Sequence, residues 1–185
     1  NDMKTSSKLI IICTAALLTG SSCKKDFLDL APISQQNGNN FYRTGEDMKN
    51  ALASVYGALQ YSGLYYSSMH IIGDLRSDNT EITNPNAGAD MQAVDLFTNI
   101  AVTSISSTTW NGHYQGIQSA NIVIGKIDAV NMDATLKARY KAEAYFLRAL
   151  MYFNLVRIYG DVPLVVDIIN NPQDGYKYGR ETTAK

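Results

Sequence analysis

Groups that could carry chemistry are concentrated in one polar stretch of this sequence, residues 74–93 (DLRSDNTEITNPNAGADMQA). Asp74, Asp78 and Glu81 place three carboxylates there, and carboxylate oxygens are ligands that calcium prefers. Their spacing lacks the regular alternation of an EF-hand loop, so the sequence favours a solvated loop surface over a metal site. Loops of this length inside a compact domain are often functional, and we expect a long ordered loop here.

Catalytic patterns are otherwise missing from the sequence. It contains no H-E-x-x-H, C-x-x-C or G-x-S-x-G motif and no phosphate-binding glycine loop. His70 and His113 lie far apart, and we interpret each as a packing or surface residue rather than a ligand. A glycosidase needs two carboxylates across a cleft, and no such pair stands out. We therefore predict a protein that is not an enzyme and that has no cofactor and no metal.

The elements that must position the polar loop are predicted to be helical. Thr44 and Asp47 have the spacing of a capping box, with Asp in place of the usual Glu. Apolar residues then recur along one helical face at Met48, Leu52, Val55 and Leu59. Residues 61–63 (YSG) end this helix, and a weaker apolar stretch over residues 64–72 ends at Gly73.

Two longer helices follow the loop. The first is predicted to begin near Thr109, and we interpret Trp110 as a core residue because it continues that helix's face rather than as a platform for a sugar. The second is capped by Asp133, spans residues 134–159 and ends at Gly160. Its expected buried stripe comprises Leu136, Tyr140, Ala144, Leu147, Met151, Leu155 and Ile158. Two such helices form a hairpin, the unit of a tetratricopeptide-like repeat, here degenerate because no 34-residue self-similarity is visible.

The two ends of the sequence differ in character from this helical part. Residues 23–40 read as a tether and extended segment whose Phe27, Leu28 and Leu30 we expect to dock on the domain. Residues 164–169 (LVVDII) form a short β-like patch before a polar tail. The tail has no convincing stop, so we expect residues 41–185 to be the N-terminal part of a longer helical domain.

Cys23 follows the layout of a bacterial secretory signal. Lys4 and Lys8 precede an apolar run over residues 9–18, and small residues over 19–22 lead directly to the cysteine. The run is about half of the roughly 20 residues that a transmembrane helix needs. We predict a signal peptide over residues 1–22 and lipidation of Cys23, the alternative being an ordinary signal peptide that happens to precede a cysteine.

The amino-acid composition limits the classes of partner that the protein is expected to bind. A formal net charge of −1 and a pI near 6.1 provide no basic field, which argues against nucleic acid. Of the two cysteines, Cys13 lies in the signal, so the mature chain has no internal disulfide. The 12 tyrosines suit wet interfaces and carbohydrate stacking, although each alone is better explained by packing.

Five segments, in this order along the chain, resemble the SusD/RagB family of outer-membrane lipoproteins of Bacteroidetes. They are CKKDFLDLAP, ALASVYGAL, GDLRSDNTE, WNGHYQGIQSANIVIGKID and AEAYFLRALMYFNLVRIYGDVPLV. The resemblance implies an all-α fold of degenerate tetratricopeptide-like hairpins with long ordered loops. It also implies a lipid-anchored protein on the outside of the outer membrane that captures oligosaccharides, or for some members peptides, and delivers them to a SusC-type TonB-dependent transporter.

The same resemblance places candidate ligand contacts in the polar loop. Asp74, Arg76, Asp78 and Asn79 are the expected polar contacts, with Tyr65 and Tyr66 as a looser candidate for an aromatic platform. The alternative to a nutrient-binding lipoprotein is a repeat scaffold that holds partners and has no ligand site of its own. The sequence does not separate the two, because both need the same helices.

Overall fold

The computed structural model describes residues 41–84 and 86–181, and Cys23, Phe27, Leu28 and Leu30 lie outside these ranges. The described chain is mainly helical, which confirms the predicted all-α class. Its helices are α1 (Gly45–Ala58), α2 (Ser68–Leu75), α3 (Ala89–Asp95), α4 (Ser104–Lys126) and α5 (Ala134–Tyr159), with short 3-10 helices at Ile127–Ala129 and Pro172–Lys177. Strands β1 (Val162–Pro163) and β2 (Arg180–Glu181) pair antiparallel, with Val162 opposite Glu181.

The predicted capping box begins α1. The Thr44 hydroxyl accepts from the backbone N–H of Asp47 at 3.1 Å, and the Asp47 carboxylate accepts from the N–H of Thr44 at 2.9 Å. A second N–H, that of Arg43, also donates to this carboxylate. These backbone donors hold the pKa of Asp47 below its usual range, Thr44 contributing most. Asp in place of Glu therefore still completes the box.

Helices α4 and α5 form the predicted hairpin, and α1 packs against both. Asp133 caps α5 by accepting from the N–H of Leu136, and Gly160 ends it with a φ of 71°, which glycine adopts without strain. The core between the three helices is built from aliphatic side chains and methionines. Its most deeply buried members are Met48, Val55, Leu64, Ile117, Val123, Ile127, Leu147, Met151 and Leu155.

One end of the predicted α5 stripe lies outside this core. Leu136 is 42% exposed and Tyr140 only half-buried, whereas Leu147 is 1% exposed. The first buried residue of α5 is Ala144. The periodicity of the first turns is therefore helical but does not report burial, because these turns project beyond the core.

Glycines allow the helices to approach closely. A Cβ on Gly63 would lie 2.2 Å from the Thr108 carbonyl oxygen, and one on Gly116 would lie 2.5 Å from the sulfur of Met151. Both distances are shorter than a van der Waals contact. At Gly63 the obstacle is backbone, so only glycine fits there, whereas at Gly116 a larger residue would require the end of the Met151 side chain to shift.

The β-like patch at residues 164–169 is not a strand, and the prediction was wrong there. Its backbone groups pair with side chains of the helical hairpin instead. The Asn121 amide donates to the carbonyls of Val165 and Asp167 at 3.0 and 2.9 Å. Gln118 both donates to and accepts from the backbone of Ile169. Side chains thus satisfy the backbone groups that a neighbouring strand would otherwise pair.

Three helix boundaries also differ from the sequence prediction. Helix α2 continues through Gly73 to Leu75, and α3 occupies the last part of the expected loop, so the irregular segment is shorter than residues 74–93. Helix α4 begins at Ser104 rather than near Thr109. Its first N–H, that of Ser104, donates to the carboxylate of Asp90 in α3 at 3.0 Å. A cap supplied from another helix cannot be read from local spacing.

Candidate functional site

The polar loop begins with a tight turn at the end of α2. The backbone carbonyl of Asp74 accepts from the hydroxyl of Ser77 at 2.7 Å and from the hydroxyl of Thr80. The N–H of Ser77 also donates to this carbonyl, at 3.1 Å. Concentrating these donors on one carbonyl fixes the direction in which the chain leaves the helix. The side chains of Asp74, Asp78 and Asn79 are exposed on this turn.

Arg76 leaves this turn to contact an aromatic ring that the sequence did not single out. Its guanidinium carbon lies 4.9 Å from the centre of the Phe97 ring, the geometry of a cation–π contact. Phe97 nevertheless stays 62% exposed. An aromatic ring, a guanidinium group and polar loop side chains therefore share one surface.

The backbone of Phe97 is in an unusual conformation. Its φ is 57°, in the left-handed region that bulky side chains rarely adopt. Such strain costs on the order of 1–3 kcal/mol and tends to cluster at binding and catalytic sites. Burial of the Phe97 side chain does not offset this strain energy, since the ring is mostly exposed. This observation makes Phe97 the centre of the candidate site.

Hydrogen bonds around Phe97 hold it in place. Its own N–H donates to Val94 and the N–H of Thr98 donates to Ala93, so the chain curls back on the end of α3. The carboxylate of Asp95 accepts from the N–H of Ile82 at 3.2 Å, which ties the polar loop to α3. The side chain and backbone N–H of Ser104 keep the pKa of Asp90 below its usual range, so Asp90 stays charged at the start of α4.

The tyrosines predicted as a platform lie elsewhere. The Tyr65 hydroxyl accepts from the amide of Asn154, a buried residue of α5, at 3.0 Å. Tyr66 is 75% exposed. Both precede α2, whereas Arg76 follows it, and the eight residues of this helix span about 12 Å. The structure thus places Arg76 with Phe97 and sets Tyr65 and Tyr66 at the opposite end of α2.

Phe97 could not be found from the sequence. Leu96 and Phe97 form an apolar pair behind an amphipathic segment, a pattern that normally indicates burial. Neither the positive φ nor the exposure of the ring has a sequence signal, because the residue with the positive φ is neither a glycine nor an asparagine.

Residues 41–84 and 86–181 contain neither a cluster of metal-binding side chains nor a helix that could span a membrane. In these ranges, no three His, Cys, Asp or Glu side chains are grouped so that they could hold a metal ion. Within the same part of the chain, every helix is too short or too polar to cross a membrane.

Comparison with known proteins identifies the family. Residues 26–185 match the profile of a SusD-like family described as "Starch-binding associating with outer membrane". The chain is 36% identical over 159 residues to SusD-like protein P38 of Formosa agariphila, covering 84% of this chain and 29% of that protein. It is 30% identical over 172 residues to a SusD-like protein of Bacteroides ovatus, covering 90% of this chain and 30% of that protein.

A solved structure agrees with these relatives. A laminarin-binding SusD-like protein superposes with a TM-score of 0.67 at 26% identity, covering 77% of this chain and 31% of that one. The chain therefore spans about a third of the length of the proteins it matches. The family description names a binding activity and no reaction, in agreement with the prediction that the chain is not an enzyme. With the profile covering nearly all residues after the predicted signal, this chain belongs to the SusD-like family of outer-membrane-associated proteins.

Proposed function

We propose that this protein captures glycans at the outer face of the outer membrane and delivers them to a SusC-type TonB-dependent transporter. The observation that supports this most directly is the exposed ring of Phe97, held in a strained backbone conformation beside Arg76. Aromatic faces stack on the C–H faces of sugar rings, and arginine donates up to five hydrogen bonds to hydroxyl groups. The family description and the laminarin-binding relative support the same class of ligand.

The roles in this site follow from chemistry. Arg76 lies over one face of the Phe97 ring and contributes donors there, and the other face of this mostly exposed ring provides the platform. Asp78 and Asn79 are exposed, and neither side chain has a hydrogen-bond partner among residues 41–84 and 86–181, so both are available to sugar hydroxyls. Asp74 lies at the start of the same turn and would contact a ligand that extends along it.

The anchor is the second part of the proposal. In this proposal a signal peptidase cleaves before Cys23, and a lipid on Cys23 keeps the protein at the membrane surface. Cys23→Ala should shift the protein from the membrane to the soluble fraction in cell fractionation. Unchanged membrane association, with no added lipid mass on the wild-type protein, would contradict this assignment.

Binding at the loop is tested with a matched pair of phenylalanines. Phe97→Ala should weaken binding of laminarin or another bound glycan by about ten-fold, since losing one aromatic contact costs on the order of 1 kcal/mol and 1.4 kcal/mol is a factor of ten in Kd. Phe146→Ala removes an equally exposed ring, 67% against 62%, from the outer side of α5 and should leave affinity unchanged.

Isothermal titration against a panel of neutral and acidic glycans measures both variants. Equal glycan affinities for Phe97→Ala and the wild type would show that the loop is not part of the binding site. Release of shortened glycans from the wild-type protein would contradict a purely binding role.

A repeat scaffold is the alternative function, and one surface favours it. The outer side of α5 exposes Phe146 by 67% and Phe153 by 58%, and Phe153 lines a groove together with Tyr145, Leu164 and Val166. Apolar side chains on one exposed face are typical of a protein contact. A protein that co-purifies with the transporter yet binds no glycan in the titrations would support the scaffold over glycan capture.

A further inference from the structure

A second surface of the molecule has the chemistry of a ligand site. A groove of about 990 Å³ runs between one face of α4 and the segment that follows β1. Its aromatic lining comprises Tyr61, Trp110, Tyr114, Tyr176 and Tyr178. We propose that this groove, called here the α4 groove, binds a neutral oligosaccharide independently of the loop around Phe97. The proposal rests on the glycan-binding function proposed above.

Free amide groups follow the helical wall of the α4 groove. Asn111 and Gln115 lie four residues apart, so they project from the same face of α4 about one turn, or roughly 5.4 Å, from each other. Both side chains are exposed, and neither has a hydrogen-bond partner in the described part of the chain. A primary amide both donates and accepts, as a sugar hydroxyl does.

The opposite wall offers an aromatic face. Tyr176 is 83% exposed and lies in the 3-10 helix Pro172–Lys177. Asn170, also exposed and without a side-chain partner among the described residues, lines the groove just before this helix. An exposed tyrosine beside a free amide is suited to stacking on one sugar and bonding to its neighbour.

Charge selects the class of ligand. The lining of the α4 groove includes no Asp, Glu, Lys, Arg or His, whereas 18% of the whole chain is charged. Anionic polysaccharides, phosphates and charged peptides would gain no ion pair in it. A neutral glycan, which presents hydroxyl groups and C–H faces, matches a lining of amides and aromatic rings.

Hydrogen bonds within the chain fix the walls of the α4 groove. The Tyr114 hydroxyl donates to the carbonyl of Pro163 at 2.7 Å, and Tyr178 donates to the carboxylate of Asp167 at 2.7 Å. Gln118 uses both amide atoms on Ile169, at 2.8 and 3.1 Å. The walls are therefore fixed by bonds within the chain, and the amides at the mouth remain free for a ligand, which reduces the ordering cost of binding.

The single tryptophan makes the proposal directly measurable. Trp110 is the only tryptophan of this 185-residue chain and lines the α4 groove. Titration with laminarin or maltohexaose should change its fluorescence with saturation. Tyr176→Ala and Gln115→Ala should each raise the apparent Kd of that change about five-fold or more, the size expected for losing one hydrogen bond or one ring contact. Gln173→Ala, in the same 3-10 helix but outside the groove, should not alter it.

The outcomes separate this site from the loop. A saturable Trp110 signal that persists in Phe97→Ala and weakens in the groove variants supports the α4 groove. Calorimetric binding that Phe97→Ala abolishes and the groove variants leave intact overturns the groove and retains the proposed function. If no neutral glycan binds, the proposal for the α4 groove is also overturned. Titration with polygalacturonate and other acidic glycans then still tests binding at the charged loop. If the groove variants have lower melting temperatures but bind the glycan with unchanged affinity, the groove residues pack against the protein itself and not against a ligand. That result would also overturn the proposal.

Discussion

The loop around Phe97 and the α4 groove are two surfaces of one helical unit that differ in how they are built. The turn that begins the loop depends on near neighbours in sequence, such as the hydroxyls of Ser77 and Thr80 on the carbonyl of Asp74, and the loop's contact with Phe97 comes from Arg76, earlier in the same stretch of chain. The α4 groove depends on contacts between α4 and a segment that lies beyond α5, such as Asn121 on Val165. The loop is also charged and strained, whereas the groove is uncharged and relaxed.

The two surfaces should differ in how well they tolerate mutation. Locally bonded turns keep their shape when distant parts of a domain loosen, because their stabilising contacts are short-range. The groove loses one wall as soon as the segment after β1 detaches from α4. Mutations should therefore be able to remove both surfaces together or one of them alone.

Removing the shared core should abolish both surfaces together. Leu147 is 1% exposed and packs between α5 and its neighbours, so Leu147→Ala should lower the free energy of unfolding by roughly 2–5 kcal/mol. Leu136→Ala removes the same atoms from a site that is 42% exposed and should cost no more than about 0.5 kcal/mol. Urea unfolding followed by circular dichroism measures both. Equal losses in the two variants would mean that the burial pattern of α5 is wrong.

Asn121→Leu should open the α4 groove and spare the loop. Asn121 is 2% exposed, its amide donates to two carbonyls, and its oxygen accepts from Arg148 at 2.7 Å. Leucine would leave these groups unpaired, so we expect a loss of about 1–3 kcal/mol. The exposed Asn50 of α1 provides the matched control, and Asn50→Leu should change stability little.

Ligand titrations complete the Asn121 test. The Trp110 signal from neutral glycans should weaken in Asn121→Leu, while binding that depends on Phe97 persists. If binding at Phe97 disappears as well, in a variant that remains folded, the two surfaces are coupled and the contrast drawn above fails.

Residues with local signals were predictable from the sequence. Thr44, Asp133 and Gly160 marked helix ends because a cap acts on backbone groups within one turn of itself. The stripe at Leu147, Met151 and Leu155 was found because helical periodicity and burial coincide there. At Leu136 helical periodicity and burial do not coincide, because periodicity depends on the helix itself and burial depends on the elements that pack against it.

Features that depend on distant partners were not predictable. The patch at residues 164–169 looks like a strand, and only the presence of Gln118, Asn121 and Tyr152 beside it explains why it is not one. The conformation of Phe97 is set by the curl of the chain after α3, for which the sequence offers no glycine. The loop residues Asp74, Arg76, Asp78 and Asn79 came from a family resemblance and remain predictions.

The smallest expected effect is a loss of stability in mild acid, and it concerns the helix that both surfaces share. His113 of α4 is fully buried, and its Nδ1 lies 2.7 Å from the carbonyl oxygen of Thr109. Its Nε2 has no hydrogen-bond partner among residues 41–84 and 86–181. Burial lowers the pKa of His113 below its ordinary value near 6.5, because a charged imidazolium would lose its hydration there.

The sign of the pH effect follows from proton binding in the two states. Between the lowered pKa of folded His113 and the ordinary value of about 6.5, the unfolded chain binds more protons than the folded one, so stability falls as the pH drops. The lowered pKa values of Asp47, Asp90 and Glu143 act in stronger acid, below about pH 5, and leave the higher pH range to histidine. Urea unfolding at about pH 7.5 and pH 5.5 should show a smaller difference in the free energy of unfolding for His113→Gln than for the wild type.

His70→Gln is the control for this test, because it alters an exposed histidine and should keep the wild-type difference. An unchanged difference in His113→Gln would mean that the folded protein accepts the proton on His113 as readily as the unfolded chain does. Acid would then provide no means of loosening α4 beneath the loop and the groove together.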